Sequence, residues 1–152
     1  MANTQSMATS FLGELLTATH DFTPSTGDTF KGALYLASAT VNAATTAYSS
    51  TGEVTGTGYS AGGVTVTNAT APTATNASST AGTAYWTPSG SLVYTNVTLT
   101  TAFDSVLIYN SSKSNKAVSV HTFGSQTITA GTFTLTMPSN TTSTALLRLS
   151  TT

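Results

Sequence analysis

The residues that could carry out catalysis in this chain are few and far apart. The 152-residue sequence contains two histidines, His20 and His121, and five acidic residues. Asp104, His121 and a serine would supply a Ser/His/Asp triad, but the G-x-S-x-G motif of a nucleophile elbow is absent. No pair of acidic residues stands out as hydrolytic carboxylates, and no phosphate-binding glycine loop is present. The sequence therefore predicts a protein that is not an enzyme and that holds no metal or cofactor.

Aromatic and threonine residues suggest two kinds of binding surface. Tyr59, Tyr85, Trp86 and Tyr94 are the residues from which an aromatic platform for a glycan would be built. Threonines alternate with apolar residues in segments such as 132–136, as they do in ice-binding proteins. Ice-binding arrays need an internal repeat of fixed period, and this sequence has none. We therefore interpret these threonines as solvent-facing residues of antiparallel strands.

The composition predicts a surface that is nearly uncharged. Charged residues make up 6% of the chain, whereas a globular domain usually carries about 25%. Threonine fills roughly a quarter of the positions, and the formal net charge is −1. Because charge keeps proteins apart in solution, such a chain is suited to packing against neighbours.

The same composition excludes several classes of partner and site. Four basic residues are too few for a nucleic-acid-binding face. No apolar run approaches the roughly 20 residues that a membrane-spanning helix needs, so no membrane partner is expected. The absence of cysteine excludes disulfides and thiolate metal sites.

Residues 1–27 are predicted to form an arm followed by a helix. Apolar residues recur at three- and four-residue spacing in 10–22, which indicates an amphipathic helix. We expect Ser10 to cap the N-terminus of this helix, and Pro24 and Gly27 to end it. The residues before Ser10 are expected to be a flexible arm.

Residues 28–152 are predicted to form a single β domain. Short apolar runs separated by turn residues indicate eight or nine short strands, with turns about every 8 to 12 residues, as in an antiparallel β-sandwich or barrel. We expect 29–36 and 106–109 to be buried strands. Residues 69–82 contain no large apolar residue and are predicted to be a long exposed loop.

The remaining predicted elements are short. In 92–99, strict alternation places four residues on one face of a strand, namely Val93, Thr95, Val97 and Leu99. We also predict a helical turn at 42–48, a polar turn at 110–115 and strands at 53–55, 64–67, 83–86, 117–123, 127–129, 132–137 and 145–149.

Three groups of segments carry a resemblance to known proteins. The first group is SFLGELL (10–16), THDF (19–22) and TFKGALY (29–35). The second group is TAYS (46–49), EVTGTGY (53–59) and AGG (61–63). The third group is VLIYN (106–110), AV (117–118), FG (123–124) and LLRL (146–149). In this order and spacing they resemble a widespread family of small virion proteins encoded in the structural modules of tailed bacteriophages.

The resemblance implies a structural protein of the virion that is assembled in the host cytoplasm. A neutral β body favours a capsid decoration (cement) protein on the capsid surface, which binds the major capsid protein across capsomers. We expect a homo-oligomer, with a trimer on local three-fold positions. A head–tail adaptor or a tail or fibre-base component is the alternative, and a glycan-binding module for host adsorption is the second. We predict partner contacts at Phe11, Leu15, Leu16, Lys31 and Trp86.

Overall fold

The part of the chain that the structure describes forms two antiparallel β-sheets and one short helix. The structure, a computed structural model, describes residues 2–75 and 82–151. Its elements, in chain order, are β1 (Ser6–Met7), α1 (Thr9–Leu16), β2 (Phe30–Leu36), β3 (Val64–Thr65), β4 (Thr73–Ala74), β5 (Thr83–Trp86), β6 (Leu92–Asn110), β7 (Lys116–Leu135) and β8 (Leu147–Ser150). The predicted mainly β fold with one N-terminal helix is confirmed, and the sheets of the described ranges do not close into a barrel.

The centre of the large sheet is strand β6. This sheet has the order β1-β7-β6-β2-β3, and the small sheet has the order β4-β5-β8. Residues 106–109 of β6 are buried between β2 and β7, as their continuous apolar run predicts. Strand β2 pairs with this run through Ala33 opposite Leu107 and Leu34 opposite Val106. The predicted buried strand at 29–36 is therefore confirmed as β2.

Strands β6 and β7 form a hairpin much longer than predicted. They contain 19 and 20 residues, whereas the sequence predicted three separate short strands where β7 lies. The pairing of β6 with β7 shifts register at several positions, among them between Leu99 and Phe103. A β-bulge takes up an extra residue without ending a strand, so the apparent breaks in the pattern lie inside one strand.

One of these shifts reverses the faces of β6. The prediction placed Val93 and Val97 on the same face, but Val93 is exposed while Tyr94 and Val97 are both buried. Between Tyr94 and Val97, Asn96 has a φ of 52°, in the left-handed region, and the register with β7 shifts at this point. A single extra residue moves the following side chains to the opposite face, which is why alternation failed as a guide at this point.

The N-terminal residues are part of the large sheet and not a flexible arm. Strand β1 pairs with β7, with Ser6 opposite Val120. The Asn3 amide donates to the Asp104 carboxylate at 2.6 Å, and its carbonyl oxygen accepts from the backbone N–H of Val41. These contacts fix the segment that leads into α1.

Helix α1 is shorter than predicted. It begins at Thr9, with Ala8 as an N-cap that makes no side-chain hydrogen bond, so the prediction of Ser10 as the cap is wrong. It ends at Leu16, since Ala18 adopts a left-handed φ of 52°. The apolar periodicity of 10–22 therefore includes residues that pack on the core from an irregular segment.

One predicted loop contains more pairing than expected, and two predicted elements are less regular than expected. The loop predicted at 69–82 includes β4, which pairs with β5, and its residues 76–81 lie outside the described residues. The predicted helical turn at 42–48 is a non-helical turn. The predicted strand at 53–55 is reduced to a single bridge between Glu53 and Tyr35.

We predict that replacing Gly63 with alanine destabilises the connection into β3. Gly63 has a φ of +71°, and a Cβ there would lie 1.7 Å from the carbonyl oxygen of Gly32. The free energy of unfolding in urea should fall by more than about 2 kcal/mol. Gly13 of α1 is the matched control, because a Cβ there meets nothing within 4 Å. Gly13→Ala should stabilise by about 0.5–1 kcal/mol, and equal effects of the two changes would contradict the prediction.

Candidate functional site

A groove lies between α1 and the small sheet. Its volume is about 190 Å³, and its walls are apolar side chains from α1, the segment after it, β5 and β8. The lining residues are Phe11, Leu15, Phe22, Pro72, Ala84, Tyr85, Trp86, Leu147 and Leu149. We call this site the apolar groove.

An aromatic cluster forms the floor of the apolar groove. Phe22 stacks on Phe30 with ring centroids 4.4 Å apart and meets Trp86 edge to face at 4.8 Å. Phe11 meets Phe22 at 6.1 Å, also edge to face. The indole N–H of Trp86 donates to the carbonyl oxygen of Thr70 at 2.9 Å. Because each ring is held by its neighbours and the buried N–H has a partner, the floor is preformed.

The wall made by α1 is held in place by Glu14. One carboxylate oxygen accepts from the ammonium of Lys116 at 2.5 Å, and the other accepts from His20 Nε2 at 2.7 Å. The other ring nitrogen of His20 accepts from the Asn110 amide at 2.9 Å, which defines the tautomer with the proton on Nε2. Glu14 thereby joins α1 to both ends of the turn that connects β6 and β7.

A second carboxylate strengthens the same junction. Asp28 accepts from the Asn110 amide at 2.8 Å and forms an ion pair with Lys113 at 3.5 Å. The backbone N–H of Asp21 also donates to Asp28 at 2.9 Å. The segment between α1 and β2, which includes Phe22, is thus fixed to the same turn.

A stripe of leucines continues the apolar surface outside the groove. Leu12, Leu15 and Leu16 recur at three- and four-residue spacing on α1, so their side chains are neighbours. Leu12 is 41% exposed and Leu16 is 90% exposed, while Leu149 of β8 is 39% exposed. A contiguous exposed apolar patch is a feature of surfaces that bind partners, whereas a single exposed leucine is common.

Four of the five predicted contact residues lie in or beside the apolar groove. Phe11 is 1% exposed and Trp86 is 2% exposed, so both belong to its floor rather than to an open surface. Leu15 is half-buried in the wall, and Leu16 is the exposed end of the leucine stripe. Sequence reasoning missed Phe22 and Leu149 as groove residues, since the helix predicted at 10–22 and the strand predicted at 145–149 do not show that their ends share one surface.

Lys31 lies apart from the other four. It follows Phe30 on β2, and successive side chains of a strand point to opposite faces. Phe30 packs under the groove, so Lys31 faces the other side of the sheet, where it is half-buried. Lys31 pairs with Thr65 of β3, so it is one strand in from the sheet edge.

Asp104 and His121 do not form the Ser/His/Asp triad that the sequence would allow. Asp104 accepts from Asn3, whereas His121 makes a 2.9 Å hydrogen bond with the hydroxyl of Ser119. Burial lowers the pKa of His121 to about 4, so the imidazole is neutral at pH 7. His121 lines a second cavity of about 330 Å³ that also contains Arg148, but Ser119 is buried and does not line it.

Glu53 is the centre of a buried polar cluster that no pattern in the sequence indicated. Its carboxylate accepts from the hydroxyls of Tyr48 at 2.6 Å and Tyr59 at 2.7 Å, and from the backbone N–H of Gly62 at 2.7 Å. Burial and the bond to Glu53 raise the pKa of Tyr48 and Tyr59. With three donors, the charge of Glu53 is compensated, and the cluster fixes the loop before β3 onto β2.

The four aromatic residues considered for glycan binding do not share one surface. Trp86 packs in the floor of the apolar groove, whereas Tyr94 stacks on Tyr59 with centroids 5.9 Å apart. Tyr94 is buried and donates its hydroxyl to the carbonyl oxygen of Gly32. Of the four, only Tyr85 adds a half-buried ring to the wall of the groove.

Comparison with known proteins found no matching family model, no similar curated protein and no similar solved structure. Within residues 2–75 and 82–151, no group of three histidine or acidic residues could hold a metal ion. No helix in the same ranges is long and apolar enough to cross a membrane.

We predict that Glu14→Gln loosens the wall of the apolar groove in a pH-dependent way. Burial opposes ionisation, but the bonds from Lys116 and His20 outweigh it and lower the pKa of Glu14 below its usual 4.5. A carboxyl group whose pKa is lowered by folding stabilises the folded state at pH values above its unfolded-state pKa. This stabilisation is lost as the pH falls through the folded-state pKa. At pH 7 the variant should be about 1–2 kcal/mol less stable in urea unfolding.

Urea unfolding at acidic pH provides the control for the Glu14→Gln prediction. When Glu14 of the natural protein is protonated, its bonds resemble those of a neutral side chain, so the two unfolding free energies should converge in strong acid. A constant difference between the variants from neutral to strongly acidic pH would show that the Glu14 charge is not responsible.

Proposed function

We propose that this chain is a structural protein of a bacteriophage particle, and that it acts as a capsid decoration protein. In this proposal the apolar groove and the leucine stripe dock onto the major capsid protein. The supporting observation is an open apolar site on a protein in which most charged side chains are engaged in contacts within the chain.

Nearly all charged side chains form contacts within the chain. All five acidic side chains accept hydrogen bonds within the protein, from partners such as Lys116, Tyr48 and Asn3. Three of the four basic side chains contact a carboxylate or a backbone carbonyl. Little charge is left to direct a salt-dependent encounter, so a docking surface on this protein relies on apolar area and neutral hydrogen bonds.

Docking of this kind suits a protein that acts after the shell has formed. A ligand that binds the assembled shell and not its separate subunits stabilises the shell by mass action. A rigid β body with a preformed groove loses little conformational freedom on binding, which favours affinity per contact. Both features fit a cement role better than a catalytic one.

The copy number of the chain in purified particles tests the proposal and separates it from the adaptor alternative. We expect quantitative mass spectrometry to give an abundance comparable to that of the major capsid protein, with density over the whole shell in a cryo-EM map. About a dozen copies at one vertex would favour a head–tail adaptor, because rings at that vertex have few subunits. Absence from particles would overturn a virion role.

We predict that Leu16→Glu weakens binding to capsids that lack this protein. Leu16 is 90% exposed, so the substitution leaves the fold intact while placing a charge on the docking surface. Loss of one buried leucine corresponds to about 1.5–3 kcal/mol, which is a tenfold or greater rise in Kd.

Val93 provides the matched control for Leu16. It is a 43% exposed apolar residue on β6, outside the groove lining. Val93→Glu should bind capsids like the natural protein in co-sedimentation. If both variants bind with unchanged affinity, the leucine stripe is not the docking surface, even if the chain is a virion component.

A further inference from the structure

The outer edge of β7 is open over most of its length. Strand β1 covers β7 only at Ser119 and Val120. From residue 122 to residue 135, the strand pairs with β6 on one side, and no strand in the described ranges pairs with its other side. At about 3.3 Å per residue this edge is at most roughly 46 Å long, and in its regular parts alternate residues direct backbone N–H and C=O groups outward.

This edge lacks the residues that usually protect an open strand. Natural edges carry lysine, proline or inward-pointing charges that prevent pairing with another chain. Residues 122–135 contain no charged residue and no proline. Five of their side chains are exposed threonines, Thr122, Thr127, Thr129, Thr132 and Thr134. Ala130 has a left-handed φ of 46°, and the pairing with β6 shifts register at several positions opposite residues 122–135, so the strand is bent in places.

We propose that two copies of this chain pair through the outer edges of β7, antiparallel and around a two-fold axis. The inference does not rest on the proposed capsid role and goes beyond it. Such a pairing joins the two large sheets into one continuous sheet.

Charge and symmetry favour a second copy over a different partner strand. A two-fold axis brings the same residues of the two copies near one another, so any charged residue on the edge would lie close to a like charge. The β7 edge has none, and the whole chain carries a net charge of −1. Threonine opposite threonine is a favourable cross-strand pair, and small hydroxyl side chains allow the backbones to approach. A two-fold pairing gives a dimer and is therefore distinct from the trimer expected on the sequence alone.

A cysteine scan along the edge tests the pairing directly. The chain has no cysteine, so a single substitution at each of the five exposed threonines is unique. Opposite residues of antiparallel strands have Cα atoms about 4.5–5.5 Å apart, within the range of a disulfide. Identical residues meet only at the two-fold axis, so intermolecular disulfide formation should peak at one position and fall on both sides of it. Cross-linking no greater than that of the exposed control Thr51→Cys at every position would overturn the proposal.

The mass of the protein in solution provides the second test. Sedimentation equilibrium of the natural protein should give twice the 15.4 kDa chain mass. The double variant T127K/T134K places charges on the edge and should raise the dimer Kd more than tenfold. The control T51K/T55K adds the same charge on exposed residues of the loop before β3 and should leave the Kd unchanged. A monomeric natural protein, or equal Kd values for the two double variants, would overturn the pairing. Because these measurements use the isolated protein, they are independent of capsid binding.

Discussion

The apolar groove depends on the carboxylate of Glu14. A helix of eight residues is marginal in water, so α1 forms only because the rest of the chain holds it. Burial of Phe11 supplies apolar contact, and Glu14 fixes the orientation by accepting from Lys116 and His20. Without that contact α1 would be held only by the burial of Phe11 and by the backbone bonds of Ala8 and Thr9, so the wall of the groove would be less firmly positioned.

Scarcity of charge is common to the apolar groove and the open edge of β7. The few charged side chains act in internal junctions, such as Glu53 with its tyrosines and Asp28 with Lys113. What faces water is largely threonine, serine, alanine and glycine, which neither repel a second copy nor attract an ion. Both the groove and the open edge of β7 are thus places where association meets little electrostatic opposition.

Sequence patterns predicted the elements that depend on local order and missed those that depend on distant contacts. The runs that became β2, β5 and the middle of β6 are continuous apolar segments with flanking turn residues, and the polar turn at 110–115 is present. The length of β7 and the reversed faces of β6 near Asn96 depend on bulges in the pairing of these two strands. Whether a bulge is tolerated depends on the partner strand, which a local sequence pattern does not contain. The groove unites Phe11, Phe22 and Trp86 from three separate segments, so no spacing along the chain indicates it.

The exposure of the leucine stripe has no explanation in the folded chain itself. Leu16 contributes almost no buried area to α1, and Gly13 lowers the intrinsic stability of the same helix. A helix selected only for folding would carry polar residues at these exposed positions, as amphipathic helices do. A partner surface that covered Leu16 and the exposed part of Leu12 would remove their apolar area from water. Such a surface would bind next to a preformed apolar groove, which is the geometry that anchors an apolar side chain of a partner.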